Sequence, residues 1–188
     1  MYFQCNKCFF ITNVSKDDKN DKVCPKCNNS SEWVEYPIPA ASGFLNQAFV
    51  NIYSYEDYIP YDFHELQAAC LFLCALYEIL LEGLVTNLMC SMGTHSKIID
   101  LVLNSNRGQE KVSLVFKNLS GITIKEGFFA KDSHFYDYMK EIIENRNKYI
   151  HGCYSAFDQI KEDKIKYICS NIIELFVFLN NQYCVFVE

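Results

Sequence analysis

The chain has 188 residues and a mass of 21.9 kDa, enough for one ordinary domain with a small appendage, or for one somewhat large domain. Half of the residues are apolar, 15% are aromatic and 21% are charged, so a core can be buried and disordered and fibrous classes are excluded. The net charge of −6 and a pI near 5.2 argue against non-specific wrapping of a nucleic-acid duplex, and only Arg107 and Arg146 are arginines.

Residues 1–35 are polar and formally neutral, which leaves the whole acidic surplus on the remainder. Within them lie Cys5-Asn6-Lys7-Cys8 and Cys24-Pro25-Lys26-Cys27, separated by 15 residues that include a lysine- and asparagine-rich loop. This CxxC–x15–CxxC spacing is that of a structural zinc site with four cysteine ligands. Each pair sits on a tight turn, and four thiolates at about 2.3 Å close a tetrahedron with no open position for substrate. A piece this small cannot bury enough surface to fold alone, so bound zinc supplies the missing free energy. The alternative, two redox CxxC pairs, lacks the βαβ context that a thioredoxin-like motif needs. The unit resembles a zinc ribbon, and its Cys-Pro-x-Cys turn is a knuckle such ribbons favour.

The other cysteines, Cys70, Cys74, Cys90, Cys153, Cys169 and Cys184, are scattered through apolar stretches where free cysteine behaves as a small hydrophobe. A metal-type CxxC beginning at residue 5 leaves no charged n-region or h-region, so no secretory signal is expected. The longest apolar run, Ala68 to Tyr77, stops at Glu78 after ten residues, too short to span a bilayer. The expected setting is a reducing cytosol, with no membrane partner.

Residues 36–60 are predicted to hold a linker and a possible short helix. Pro37, Pro39 and Gly43 disfavour regular structure over 36–43, while 44–59 are aromatic-rich and ambiguous, with Ser42 able to cap a helix there. Residues 61–188 read as an all-α bundle of four or five helices. Spacings of three and four through Leu66, Ala69, Leu73, Leu76, Leu80, Leu84 and Leu88 predict one long helix over about 62–92. Shorter helices are predicted at 95–104 and 109–119, and the period breaks over 121–130, which reads as loop with an extended Ile122-Thr123-Ile124. A further helix is capped by Asp132 or Ser133, carries Phe135, Met139, Ile142, Ile143 and Ile150 as its stripe, and ends at Gly152. The last helix runs from about Asp158 to Asn181 through Ile160, Ile165, Ile168, Ile172, Phe176 and Leu179.

Arg146 falls three and four residues after Ile143 and Ile142, so its guanidinium is drawn into the apolar stripe, where an unpaired arginine is costly. One reading pairs it with Glu78 or Glu82 of the long helix. His151 sits in the last turn, on the face of Asn147, where the helix dipole favours an imidazolium. The run Arg146-Asn147-Lys148-Tyr149-Ile150-His151-Gly152, in an all-α setting behind a long first helix, resembles the HEPN superfamily over roughly residues 60–181. Ribonuclease members of that superfamily carry Arg, then four to six residues, then His near the end of a bundle helix, and Asn often follows the Arg.

The resemblance implies a metal-independent endoribonuclease acting on single-stranded RNA and leaving 2′,3′-cyclic phosphate ends. His151 would move the protons and Arg146 would face the phosphorane. Asn147 would orient the phosphate or the imidazole, and Lys148 and Tyr154 would help bind substrate. One Arg and one His are too few for every role, and family members resolve this by dimerising around a composite cleft. The tyrosine that some members place two residues after the His is replaced here by Cys153, with Tyr154 next. The resemblance also suggests toxin–antitoxin or antiphage biology, with an antitoxin or regulatory protein as partner. The alternative it leaves open is a non-catalytic HEPN module that docks RNA, a nucleotide or a protein.

Other residues read as ordinary structure. Glu78 and Glu82 form an acidic shoulder one turn apart, and His64-Glu65 make a polar entry turn. The second His of an HExxH zinc site would fall on Ala68, so no catalytic metal is implied. His95 and His134 lie near helix starts, and Cys70 and Cys74 share a core face. No phosphate-binding loop, dinucleotide fingerprint or serine nucleophile motif is present.

Overall fold

The computed structural model describes residues 2–13, 23–28, 32–53, 63–106, 108–153, 155–158 and 160–184. Its first part is a small antiparallel sheet of β1 (Tyr2–Cys5), β2 (Ile11–Asn13) and β3 (Trp33–Tyr36), in the order β2-β1-β3. Tyr2 stands opposite both Asn13 and Tyr36, and Cys5 stands opposite Trp33. The inward face buries Phe3, Cys5 and Trp33, which pack with Cys8 and Cys24 into a core of their own.

Seven helices follow among the described residues: α1 (Pro39–Tyr53), α2 (Phe63–Ser91), α3 (Ser96–Ser105), α4 (Gln109–Ser120), α5 (Ile124–Phe129), α6 (Phe135–Ile150) and α7 (Glu162–Tyr183). The chain is thus mostly helical; α1 falls where a short helix was possible, and residues 61–188 hold six described helices where four or five were expected. Residues 36–43 are not an open linker, because Tyr36 closes β3 and α1 starts at Pro39. Proline is well suited to a first turn, where its missing N–H would have no partner anyway. Ser42 is not the cap; it lies inside that turn and its hydroxyl donates to the Pro37 carbonyl. α1 buries Ala41, Ala48 and Ile52 in the same core as α2.

α2 is the central helix. Ala69, Cys70, Leu73, Leu76, Tyr77, Leu80, Leu81, Leu84 and Val85 are buried around most of its circumference, and α1, α7, α4 and α6 lie against it. The expectation that no segment could span a bilayer needs correcting. Over Leu66–Ser91 the helix is long and apolar enough by length and composition alone, although 56% of that window is buried inside the fold. The ten-residue run missed this because Glu78 and Glu82 interrupt an otherwise apolar helix.

α5 occupies the stretch expected to be loop. Thr123 Oγ1 accepts from Glu126 N at 3.2 Å, and Glu126 Oε2 accepts from Thr123 N at 2.7 Å, a complete capping box. Gly127 hid this helix by interrupting the apolar pattern. A Cβ there would lie 2.8 Å from Leu179 Cδ2, so a larger residue requires that buried side chain to shift. α5 delivers Phe128 to a buried aromatic cluster, with ring centroids 4.9 Å from Phe135 and 5.3 Å from Phe176. α6 starts where Asp132 Oδ1 accepts from His134 N and Phe135 N. Its buried face is Phe135, Met139 and Ile142, whereas Ile150 is 60% exposed and so lies outside the stripe assigned to it.

α7 ties the sheet to the bundle. Asn180, 1% exposed, donates to the Phe9 carbonyl at 2.7 Å and accepts from Asn87 of α2 at 2.8 Å. Its neighbour Asn181 accepts from Ile11 N at 2.8 Å and donates to Ile11 O at 2.6 Å, completing the free edge of β2 as another strand would. Asn180→Ala leaves the Asn87 amide and the Phe9 carbonyl without their partner, at a cost of about 1–3 kcal/mol. Chemical denaturation should show the loss in full for Asn180→Ala and a smaller one for Asn181→Ala, which is only half-buried. An unchanged midpoint for Asn180→Ala would mean that the link between sheet and bundle is not made by this network.

Candidate functional site

Two neighbouring turns build the cysteine cluster. Phe9 N donates to Cys5 O and Asn28 N donates to Cys24 O, both at 2.9 Å, so each CxxC closes on the residue after it. Phe9 and Asn28 accordingly take left-handed backbones, with φ of 58° and 52°. The four Sγ atoms come within 4.8 Å of one another, with Cys8–Cys24 at 3.4 Å and Cys5–Cys27 at 4.0 Å. A tetrahedron with metal–sulfur bonds of about 2.3 Å has edges of about 3.8 Å, so the quartet fits one thiophilic divalent ion. The four sulfurs are mutual neighbours, across the two turns as well as within each CxxC, which is the pattern of a shared metal rather than of two separate redox pairs. Burial pushes the Cys8 and Cys24 thiols up, and a cation is what would hold them as thiolates.

At the other end of the molecule, the close of α6 carries the residues singled out from the sequence. Arg146 forms an ion pair with Glu78 of α2, as one reading of the sequence anticipated, while Glu82 is exposed. Burial opposes the Arg146 cation, but the neighbouring Cys74 sulfur and Glu78 outweigh it and hold its pKa up. Burial pushes the Cys74 thiol up to about 11 despite Arg146, so at neutral pH Glu78 is the anion that counts. Arg146 Nε is buried without a hydrogen-bond partner among the described residues.

His151 is the C-cap of α6 and is exposed. Gly152 N donates to Tyr149 O and Cys153 N to Lys148 O, both at 3.0 Å, which is a Schellman ending. Gly152 takes φ +94°, a backbone that side-chain-bearing residues resist, and this is why glycine follows the histidine. The ending fixes His151 as the last residue of the helix. Asn147 and Lys148, four and three residues earlier, are exposed on the same helix end. Arg146 precedes His151 by five residues, about 140° away around the helix, so within one chain the pair diverges rather than converges. Tyr154, expected to bind substrate, lies outside the described residues.

A cleft of about 310 Å³ runs along α6 between α2, α4 and α5, and Asn147 lines it. Tyr77, Gln109, Ser113, Tyr136, Lys140 and Glu144 also line it, and none of them was a site candidate from the sequence. One signal was readable: Lys140, Glu144 and Asn147 recur at helical spacing as a polar stripe on α6. The α4 side of the cleft required the tertiary fold.

Neither protein-family models, nor curated proteins, nor solved structures gave a match to this chain.

Purified protein should carry one equivalent of metal per chain by elemental analysis. Cys24→Ser, which removes one of the four sulfurs, should lower that content and the thermal midpoint together. A metal-free chain with an unaltered, cooperative transition would show that the quartet is only a packed thiol cluster.

Proposed function

We propose that this chain is a HEPN-type endoribonuclease that cuts single-stranded RNA as a homodimer, with zinc in the Cys5/Cys8/Cys24/Cys27 site as a structural ion. The observation that carries the reading is the end of α6. It presents an exposed imidazole at a fixed helix terminus, and five residues earlier, on a diverging face, a guanidinium held by Glu78. Strand cleavage through the 2′-OH needs a base, an acid and a cation at the developing phosphorane charge. His151 supplies the proton transfers and Arg146 the cation, while Asn147 and Lys148 position the phosphate between them. A single chain offers one imidazole where two proton transfers are required, and a second copy supplies the other. These roles are filled by side chains alone. The cytosol, with its reduced thiols, is the setting that suits the chemistry, and toxicity restrained by a regulatory protein is the biology that suits such an enzyme.

One observation favours a different reading. Glu78 already neutralises Arg146, which is what a non-catalytic HEPN module would need merely to seat α6 on α2. The two readings separate on a single panel. Wild type, Arg146→Ala and His151→Ala are assayed on a mixed single-stranded RNA pool with EDTA present, and the zinc content and oligomeric state of each are checked afterwards. The ribonuclease reading expects cleavage by wild type and at least a ~100-fold loss in each variant. No cleavage from a zinc-loaded dimer would favour the binding module, and cleavage that survives His151→Ala would remove His151 from the chemistry.

A further inference from the structure

α3 rests on α2 and buries a single residue, Ile99. It carries more apolar residues than that contact uses. Leu101 is 66% exposed and Ile98 is 52% exposed, while Val102 and Leu103 are half-buried. At about 100° per residue, Leu101 points about 160° away from Ile99 and so into solvent. Ile98 lies about 60° to one side of Leu101, whereas Lys97 lies about 40° and Asp100 about 100° to the other. Met92, in the turn that enters α3, is exposed as well. Large aliphatic side chains side by side on the outermost face of a helix mark a contact surface.

The charges beside that face select its partner. Lys97 and Asp100 are exposed on one flank, and neither side chain is in an ion pair among the described residues. When two copies of a helix pack antiparallel about a two-fold axis, each flank meets the same flank of the other copy. Lys97 of each copy then faces Asp100 of the other, a doubled pair of opposite charges. Leu101 of each packs against Ile98 of the other. One helix thus carries both halves of a complementary surface. Lipid is a poorer match, since helices that lie on membranes are rich in Lys and Arg, and α3 has one Lys balanced by one Asp.

We propose that α3 is a self-association face, through which two copies of this chain pair antiparallel. This contact is separate from the homodimer of the ribonuclease reading and does not rest on it. α3 follows the C-terminal end of α2, whereas Arg146 meets α2 at Glu78, about 20 Å back along that helix. Pairing through α3 therefore does not bring two His151 ends together. With two such two-fold contacts per chain, copies join into tetramers or longer rows. A ten-residue helix is about 15 Å long and covers well under the ~800 Å² per partner of a standard interface. The α3 contact is accordingly reversible and set by protein concentration.

The test is sedimentation equilibrium of the full-length, zinc-loaded protein over about 1–200 µM at low salt. Leu101→Asp should weaken association at least ~tenfold, since it sets two carboxylates into the apolar contact. Lys97→Glu alone should weaken it at least ~threefold, and Lys97→Glu with Asp100→Lys should restore it. All three positions are exposed, and Glu suits the first turn of a helix, so melting curves at low concentration should match the parent's. A fall from tetramer to dimer in Leu101→Asp supports the α3 face alongside the ribonuclease dimer. A fall from dimer to monomer supports it and leaves the ribonuclease reading without its second copy. Assembly indifferent to Leu101→Asp, or not recovered by the charge swap, overturns the pairing even if RNA is cut normally. A wild type that stays monomeric also overturns it, and sedimentation of that monomer with anionic vesicles would reassign the face to lipid.

Discussion

A helix of 29 residues whose only charges over Leu66–Ser91 are Glu78 and Glu82 cannot stand in water, and covering α2 organises everything else. α1 and α7 shield it along two flanks, while α4 and α6 close the others. Its buried stripe of Leu73, Leu76, Leu80 and Leu84 is the largest apolar contribution to the core, worth about 1.5–3 kcal/mol per fully buried side chain. Glu78 is the exception on that helix, and its charge is answered by Arg146. The same contact seats α6 on α2, with His151 exposed at the end of that helix.

The opposite end of the molecule follows from α7. A small sheet with five buried core residues has too little apolar surface for independence, and two devices compensate. One is the convergence of four sulfurs, which suits a metal. The other is the asparagine pair at the end of α7, which satisfies the carbonyl of Phe9 and both backbone groups of Ile11. Phe9 is strained by its left-handed backbone, and its carbonyl accepts from Asn180, which joins it to the bundle's buried polar network. The knuckle that would bind metal is thus also the point of attachment.

Periodic and closely spaced signals were legible in the sequence, and signals made by tertiary contact were not. The long stripe of α2, the cap and stripe of α6, the stripe of α7, and the two CxxC pairs all depend on neighbours within a few turns; α7 itself starts at Glu162, four residues later than its expected start at Asp158. α5 was missed although Thr123 and Glu126 spell out its capping box, because Gly127, which lies against Leu179, broke the apolar period. The start of α1 was missed because Pro39 reads as a breaker in mid-helix but is favourable in a first turn. Ile150 has the right spacing for the stripe, yet α6 has by then run past the elements that cover Met139 and Ile142. The pairing of Arg146 with Glu78 was one of two options on a helix face, and only packing chose between them. The cleft could not be foreseen, since four helices separated in sequence contribute its walls.

Everything functional turns on whether the α6 terminus performs chemistry on an RNA 2′-hydroxyl. The most direct test is a pool of DNA oligomers, each carrying one ribonucleotide between randomised positions, incubated with the zinc-loaded protein. Scission is predicted only on the 3′ side of the ribose, leaving a 2′,3′-cyclic phosphate. Cuts at deoxynucleotides, or a pool left intact by folded protein, would contradict it.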